Sequence, residues 1–469
     1  MSTPDLVIRG GRVVTSGSDA PADVAIKDGV VISVGTGIPR GHEEVDAKGK
    51  LVLPGGMDLH VHLSPVNLPD RQLAWADDYT SGTQAAAAGG VTTIGDITFP
   101  IPGESLPEAF DRAVSSAGDQ AVVDFALHTV LLDPSADRLP EIAQLRERGA
   151  RSLKIFMHLF GFETRAAEYL RVLAQAGRDD MLSLVHCEDS CVIGHELEKL
   201  VEAGETGIEN FPRMRPVSSE SAAVERAIAF AESADAPIYI VHLSSARALD
   251  AATAARRRGL PVYVETRPIY LLFDESRYQS DTPGLYVGNP PLRSRSDVDA
   301  LWAGLAAGDI ATCCTDHAPW KREQKLAPEV DVTMTRPGMA DLETLMPALF
   351  SEGVLKGRIS LQRFVEATST NAARLFGLYP RKGTIAPGAD ADITVFDPEL
   401  TKPVRGAELY SRARMSLLEG VELTGWPVRT ISRGETVMLD GEVLGRPGRG
   451  RLAQPADLPR LATPRAPIL

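Results

Sequence analysis

Cysteine is scarce in this chain. Four residues in 469, Cys187, Cys191, Cys313 and Cys314, form neither a disulfide framework nor paired zinc-finger thiolates. That argues against a disulfide-stapled secreted scaffold and for a reducing, cytoplasmic setting. Positive charge is also in deficit: 49 Lys and Arg stand against 63 Asp and Glu, a net charge of −14. Nucleic acid and anionic membrane are therefore disfavoured as partners. No apolar run approaches the roughly 20 residues of a membrane span. The opening MSTPDLVIRGGRVV moves straight into a strand pattern, without the regions of a signal peptide. What remains is an ordinary globular composition, 43% apolar and 24% charged. The length suits two or three domains, or one barrel with a satellite.

Residues 4 to about 53 alternate with period two around GG, DG and KGK turns, as a small β-module does. The same texture returns in KGTIAPGADADITVFDP and VRTISRGETVMLDGEVL. Chain ends often meet in space, so residues 1–53 and 377–445 are expected to build one composite β-sandwich. Between them, residues 54–376 alternate apolar strands with helical stretches about eight times. That pattern predicts an α/β fold, a parallel (β/α)8 TIM barrel. The Pro- and Arg-rich residues 446–469 are expected as an extended tail on the surface or on a neighbouring subunit.

Six residues fall in order along the predicted barrel strands: His60, His62, Lys154, His186, His242 and Asp316, in GMDLHVHL, SLKIFMH, LSLVHCED, PIYIVHLSS and IATCCTDHAP. In a parallel barrel, chemistry collects at the C-terminal strand ends. His60 and His62, two apart, project to the same side of a strand and suit one cation. Asp316, set among apolar neighbours, is costly as an unpaired anion; a metal removes that cost, and the carboxylate can also move protons. His317 is expected to be a supporting neighbour rather than a ligand. Lys154 lies between Leu153 and Ile155, where burial beside cations favours its neutral amine. A neutral lysine adds carbon dioxide to form a carbamate whose two oxygens bridge two metals. Taken alone, the same lysine reads first as a structural one, snorkelling or paired to an acid.

The set GGMDLHVHL, DDYTSGTQAAAAGGVTTI, SLKIFM, LVHCED, PIYIVHLSSARAL, NPPLR, TDHAP and KGTIAPGADADITVFDP covers about residues 50 to 400. It resembles the cyclic amidohydrolases of the amidohydrolase superfamily, most of all the dihydropyrimidinase/hydantoinase branch. The resemblance implies a sandwich plus barrel, a carbamylated Lys154, and two divalent metals, Zn2+ first with Mn2+, Co2+ or Fe2+ as alternatives. His60, His62, Lys154 and Asp316 would hold one metal; Lys154, His186 and His242 the other. It further implies hydrolysis of a ring amide by a hydroxide bridging the metals, with Asp316 shuttling the proton, a small-molecule cyclic amide substrate, and a homotetramer or dimer.

The chain departs from its relatives around the substrate. Ser64 stands where dihydroorotases carry a carboxylate-clamping arginine, which disfavours that activity. Leu159 stands where dihydropyrimidinases and hydantoinases typically place an oxyanion-binding tyrosine; His158 is a candidate replacement. Leu159, Phe160 and Phe162 suggest an apolar loop suited to a bulky ring substituent, or ordinary packing. The main-chain groups that hold the ring's amide edge correspond to Asn289 and Pro337, and Pro337 has no N–H to donate. Arg267 replaces a small residue and is expected to form a structural ion pair rather than meet the substrate. Allantoinase or another cyclic-imide hydrolase is the alternative activity. A non-catalytic scaffold is disfavoured because all six ligand positions are filled.

Overall fold

The computed structural model describes residues 3–63, 74–159 and 161–454. Ser64 and Phe160 lie outside the described residues, as does 455–469. Five N-terminal strands, β1 (Leu6–Val14), β2 (Asp19–Lys27), β3 (Val30–Gly35), β4 (Glu43–Asp46) and β5 (Leu51–Pro54), open the chain. The barrel strands follow: β6 (Gly56–Val61), β7 (Val91–Thr98), β8 (Asp124–Val130), β9 (Ser152–Phe156), β10 (Leu182–His186), β11 (Ile238–Ile240), β12 (Val262–Thr266) and β13 (Thr312–Cys313). Last come β14 (Ile393–Pro403), β15 (Glu422–Ser432), β16 (Glu435–Leu439) and β17 (Glu442–Val443).

The two ends of the chain share one nine-stranded sheet, ordered β17-β16-β15-β14-β5-β1-β2-β3 with β4 on β1. Its seam is the antiparallel pair β5–β14, where Val52 faces Val395. Ile8, Val24, Ile26, Val52, Ile393, Val395 and Ile431 bury a common apolar layer across that seam. Three of its hairpins turn on residue pairs with positive φ, Asp28–Gly29, Arg433–Gly434 and Asp440–Gly441. Such two-residue turns match the right-handed twist of the flanking strands.

The barrel strands pair in sequential order, all parallel, from β6 to β13. Helices such as Tyr79–Ala88, Leu106–Gln120, Ala166–Arg178, Val217–Ala234 and Arg295–Ala307 cover the outside. The gap between β13 and β6 is bridged by Val61 and His317, with His62 N–H donating to His317 O at 2.8 Å. Sheet and barrel are tied by the buried Lys382 ammonium, 2.8 Å from Asp124 at the start of β8 and bonded also to Asp392 just before β14.

Residues 446–454 run along the surface against β8. Phe125 N–H donates to Arg451 O (3.0 Å), Ala453 N–H to Phe125 O (2.7 Å) and Arg451 N–H to Asp124 Oδ1 (3.0 Å). Backbone groups of β8 would otherwise lack partners there, so the segment is held as an added edge.

Candidate metal centre

The strands deliver the six nominated side chains to one place. All six line a single cavity of about 300 Å3 at the C-terminal mouth of the barrel, together with His158, Leu159, Asn289 and Pro337. Lys154 is the middle residue of β9 rather than its tip, and its long stem carries the amine upward. His242 and Asp316 lie beyond the ends of β11 and β13 in left-handed backbone, φ 40° and 52°. Non-glycine residues at positive φ are uncommon and cluster at functional sites, where the surroundings hold the strain. Here the holders are Glu265, which accepts from His242 N–H (2.9 Å), and buried Asp58, which accepts from Thr315 N–H (3.2 Å) and its hydroxyl.

Asp316 Oδ1 sits 2.9 Å from His62 Nε2 and 3.3 Å from His60 Nε2. His60 Nδ1 lies 2.7 Å from the buried Glu265 carboxylate, which assigns the N–H to Nδ1 and leaves Nε2 as a bare lone pair. A bare imidazole nitrogen aimed at a carboxylate oxygen repels it unless a cation lies between them, so this donor set fits a metal. Opposite, the His186 and His242 rings approach to 4.4 Å between centroids. His186 Nε2 is bonded to Glu188 Oε2 (2.7 Å), and Arg215 Nη1 meets the same oxygen at 2.6 Å. His242 Nδ1 is buried with no hydrogen-bond partner among the described residues. Burial holds His62 below its ordinary pKa, pushes His186 down to about 4 despite Glu188, and holds His242 well below. Neutral imidazoles are the form that ligates.

Lys154 is completely buried; its Nζ lies 3.5 Å from His60 Nε2 and 4.9 Å from the Phe156 ring centroid. Among the described residues no carboxylate lies within ion-pair distance of it, which removes the structural ion-pair reading. Burial lowers its pKa to about 8, against the pull of Asp316 and Glu265. The amine therefore reaches its neutral form readily, as carbamate formation requires.

The remaining departures find their places. Arg267 is fully buried behind the cavity, 3.1 Å from Asp316 Oδ2, so the ion pair is what forms. Burial alone would raise the Asp316 carboxyl; the Arg267 guanidinium leads the groups that reverse that and hold it well below the usual carboxylate range. His317 supports from outside the cavity, its Nε2 2.9 Å from Asp77. His158 faces inward, its ring 4.1 Å from His186 and its Nδ1 buried without a partner among the described residues. Of the two readings of the apolar loop, Phe162 follows ordinary packing, against Tyr169 and Phe230, while Leu159 lines the mouth.

Sequence reasoning missed Glu188, Glu265, Trp75, Phe99, Trp320 and Arg336. Glu188 and Glu265 each interrupt or follow an apolar run, a signal as legible as the histidines. The aromatics carried none: Trp75 reaches the His62 ring at 4.8 Å only through the fold.

A parallel barrel whose mouth gathers four imidazoles, a buried lysine without a carboxylate partner among the described residues, and an aspartate is the scaffold of a metal-dependent hydrolase. Residues 51–437 match the Amidohydrolase family, and the chain belongs to that family, in its hydantoinase/dihydropyrimidinase branch. It is 38% identical over 451 residues to a D-phenylhydantoinase of Escherichia coli O1:K1, covering 95% of this chain and 97% of the relative. The crystal structure of a dihydropyrimidinase from Brevibacillus agri superposes with TM-score 0.91 at 34% identity, covering 97% and 99% of the two chains. An L-hydantoinase (dihydropyrimidinase) from Arthrobacter aurescens superposes with TM-score 0.88 at 29% identity, over 96% and 100%. No helix among the described residues is long and apolar enough to cross a membrane.

Proposed function

We propose that this protein hydrolyses the ring C–N bond of a cyclic amide, a hydantoin, dihydropyrimidine or related imide, with two divalent cations. His60, His62, Lys154 and Asp316 would hold one, and Lys154, His186 and His242 the other, with Zn2+ ahead of Mn2+, Co2+ and Fe2+. The observation that carries the reading is Lys154: an amine buried among neutral imidazoles, without a carboxylate partner among the described residues, in a relative of named hydantoinases and dihydropyrimidinases. Addition of carbon dioxide to its neutral amine would form an N–C bond at the cost of one C–O π bond and release one proton, giving a carboxylate able to hold a cation. What bound divalent cations supply is an acidified water and a polarised carbonyl.

The chain's own groups do the rest. Asp316, held ionised by Arg267, accepts the water proton and returns it to the ring nitrogen as the C–N bond breaks. His158 donates to the carbonyl oxygen as negative charge develops there, in the role of the tyrosine replaced by Leu159. Trp75, Phe99, Phe156, Leu159 and Trp320 flank the ring and exclude water. A ureide ring such as allantoin is the second reading, favoured by Leu159 at the oxyanion position. The homotetramer of the resemblance and a cytoplasmic setting, consistent with four free cysteines, belong to the same proposal.

Ring opening assayed across hydantoins, dihydropyrimidines, allantoin and cyclic imides tests the activity. Asp316→Asn is expected to keep its metal and lose about 10^2–10^4 in turnover; near-normal rates at full metal occupancy would remove its role. Lys154→Ala is expected to lose metal, with partial rescue by short carboxylic acids, and unchanged metal content would sink the carbamate.

A further inference from the structure

Lys325 is a second fully buried lysine, outside the metal cluster, at the end of the short helix Arg322–Lys325. Its Nζ lies 2.9 Å from Val287 O, 3.0 Å from Arg336 O and 2.6 Å from Gly338 O. Among the described residues it has no carboxylate within ion-pair distance. Burial and the Arg267 guanidinium pull its pKa well down while Asp341 opposes them. Three carbonyls at hydrogen-bond distance nevertheless call for three N–H donors, which only the ammonium provides.

The three carbonyls belong to two loops that line the cavity. One carries Asn289; the other carries Arg336, Pro337 and Gly338. The same loops are joined by Gly338 N–H to Val287 O (3.1 Å), and Trp320 Nε1 donates to Pro337 O at 2.8 Å. Gly338 stands at φ 125°, where an added Cβ would meet Ala318 O at 2.2 Å, so the loop is pressed against the barrel. Every carbonyl from 336 to 338 is thus engaged by Lys325 or Trp320, and Pro337 has no N–H. Where this loop meets the cavity, those carbonyls therefore already have donors.

We propose that Lys325 is a positioning residue for substrate: its ammonium fixes the gap between the Asn289 and Pro337 loops and commits the second loop's carbonyls inward. The ring is then met by the Asn289, Arg336 and Pro337 side chains. This rests on the reading of the cavity as a cyclic amide site. The test uses the metal-loaded enzyme with 5-phenylhydantoin and dihydrouracil as probes, comparing Lys325→Met and Lys325→Gln. Expected are unchanged metal content, kcat within about threefold and KM raised about tenfold in Lys325→Met, with Lys325→Gln, which keeps an amide donor, in between. Amide hydrogen exchange at Gly338 should speed up in the same order, a readout that needs no turnover and is available on the folded Gln variant if the Met variant does not fold. Unaltered KM together with unaltered Gly338 exchange in the variants would overturn the role, as would metal loss accompanied by equal falls in kcat and kcat/KM. A wild-type enzyme that opens neither ring counts against the substrate reading, and the exchange measurement then still decides whether Lys325 holds the loops.

Discussion

The Arg267 guanidinium lies 3.1 Å from Asp316 Oδ2 while its other terminal nitrogen is 3.8 Å from Asp341, and all three groups are buried. Arg267 is therefore the counter-ion for two carboxylates at once. Replacing it by Arg267→Met is expected to cost about 3–5 kcal/mol of unfolding free energy at pH 7, because a buried pair broken on one side leaves charge uncompensated. In the variant both carboxyl pKa values rise, the fold binds more protons than the unfolded chain, and the loss shrinks as pH falls. Urea unfolding of the metal-free proteins at pH 5 and pH 8 checks this. An equal loss at both would contradict it.

Glu265 and Glu188 are expected to act on different metals. Each carboxylate fixes the tautomer of one histidine, His60 or His186, at 2.7 Å. Glu265→Gln and Glu188→Gln should each weaken one of the two cations about 10–100-fold. Chelator titration with metal analysis should show one tight and one weak cation in each variant. Loss of both together, or of neither, counts against the assignment.

Glu343 provides a pH effect on stability away from the cavity. Burial raises its carboxyl to about 7, against the Tyr410 N–H and the Lys402 ammonium. A raised carboxyl pKa means that stability is fully present below the ordinary carboxyl range and declines as pH rises through 7. Glu343→Gln, which keeps an acceptor for Tyr410 N–H, should unfold at a higher temperature than wild type at pH 8 and at nearly the same temperature at pH 5. The reverse order at pH 8 would refute this.

The two parts of the C-terminal segment should separate. Ending the chain at 445 removes the bonds of Arg449 and Arg451 to Val122, Ser432 and Asp124 and is expected to lower the thermal midpoint by about 5 °C or more. A chain ending at 454 keeps those bonds. Sedimentation of the shorter chains then tests whether 455–469 serves assembly; an unchanged oligomer removes that role.

Much of the architecture was legible because its signals are local. Period-two strands, Asp-Gly turns and the strand–helix alternation are properties of short windows, and His60 and His62 share a side of one strand whatever surrounds them. The ten residues nominated from motif and resemblance line one cavity for the same reason: a parallel barrel sends the ends of all its strands to one mouth. Where Phe162 and the segment 446–454 dock was not legible, because their partners, Tyr169, Phe230 and Phe125, become neighbours only when distant helices and strands pack.

By itself, then, the sequence determined the barrel, the composite sheet and which side chains gather at the barrel mouth, since periodicity and motif spacing act along the chain. Tertiary structure decided which carboxylate orients which histidine, that Arg267 answers Asp316 rather than substrate, and that Lys325 and Trp320 claim the carbonyls of the Pro337 loop. Apart from His186 and Glu188, two positions apart, these are contacts between residues eleven or more positions apart. Their energies depend on burial and on the direction of individual lone pairs, which exist only once the chain has closed on itself.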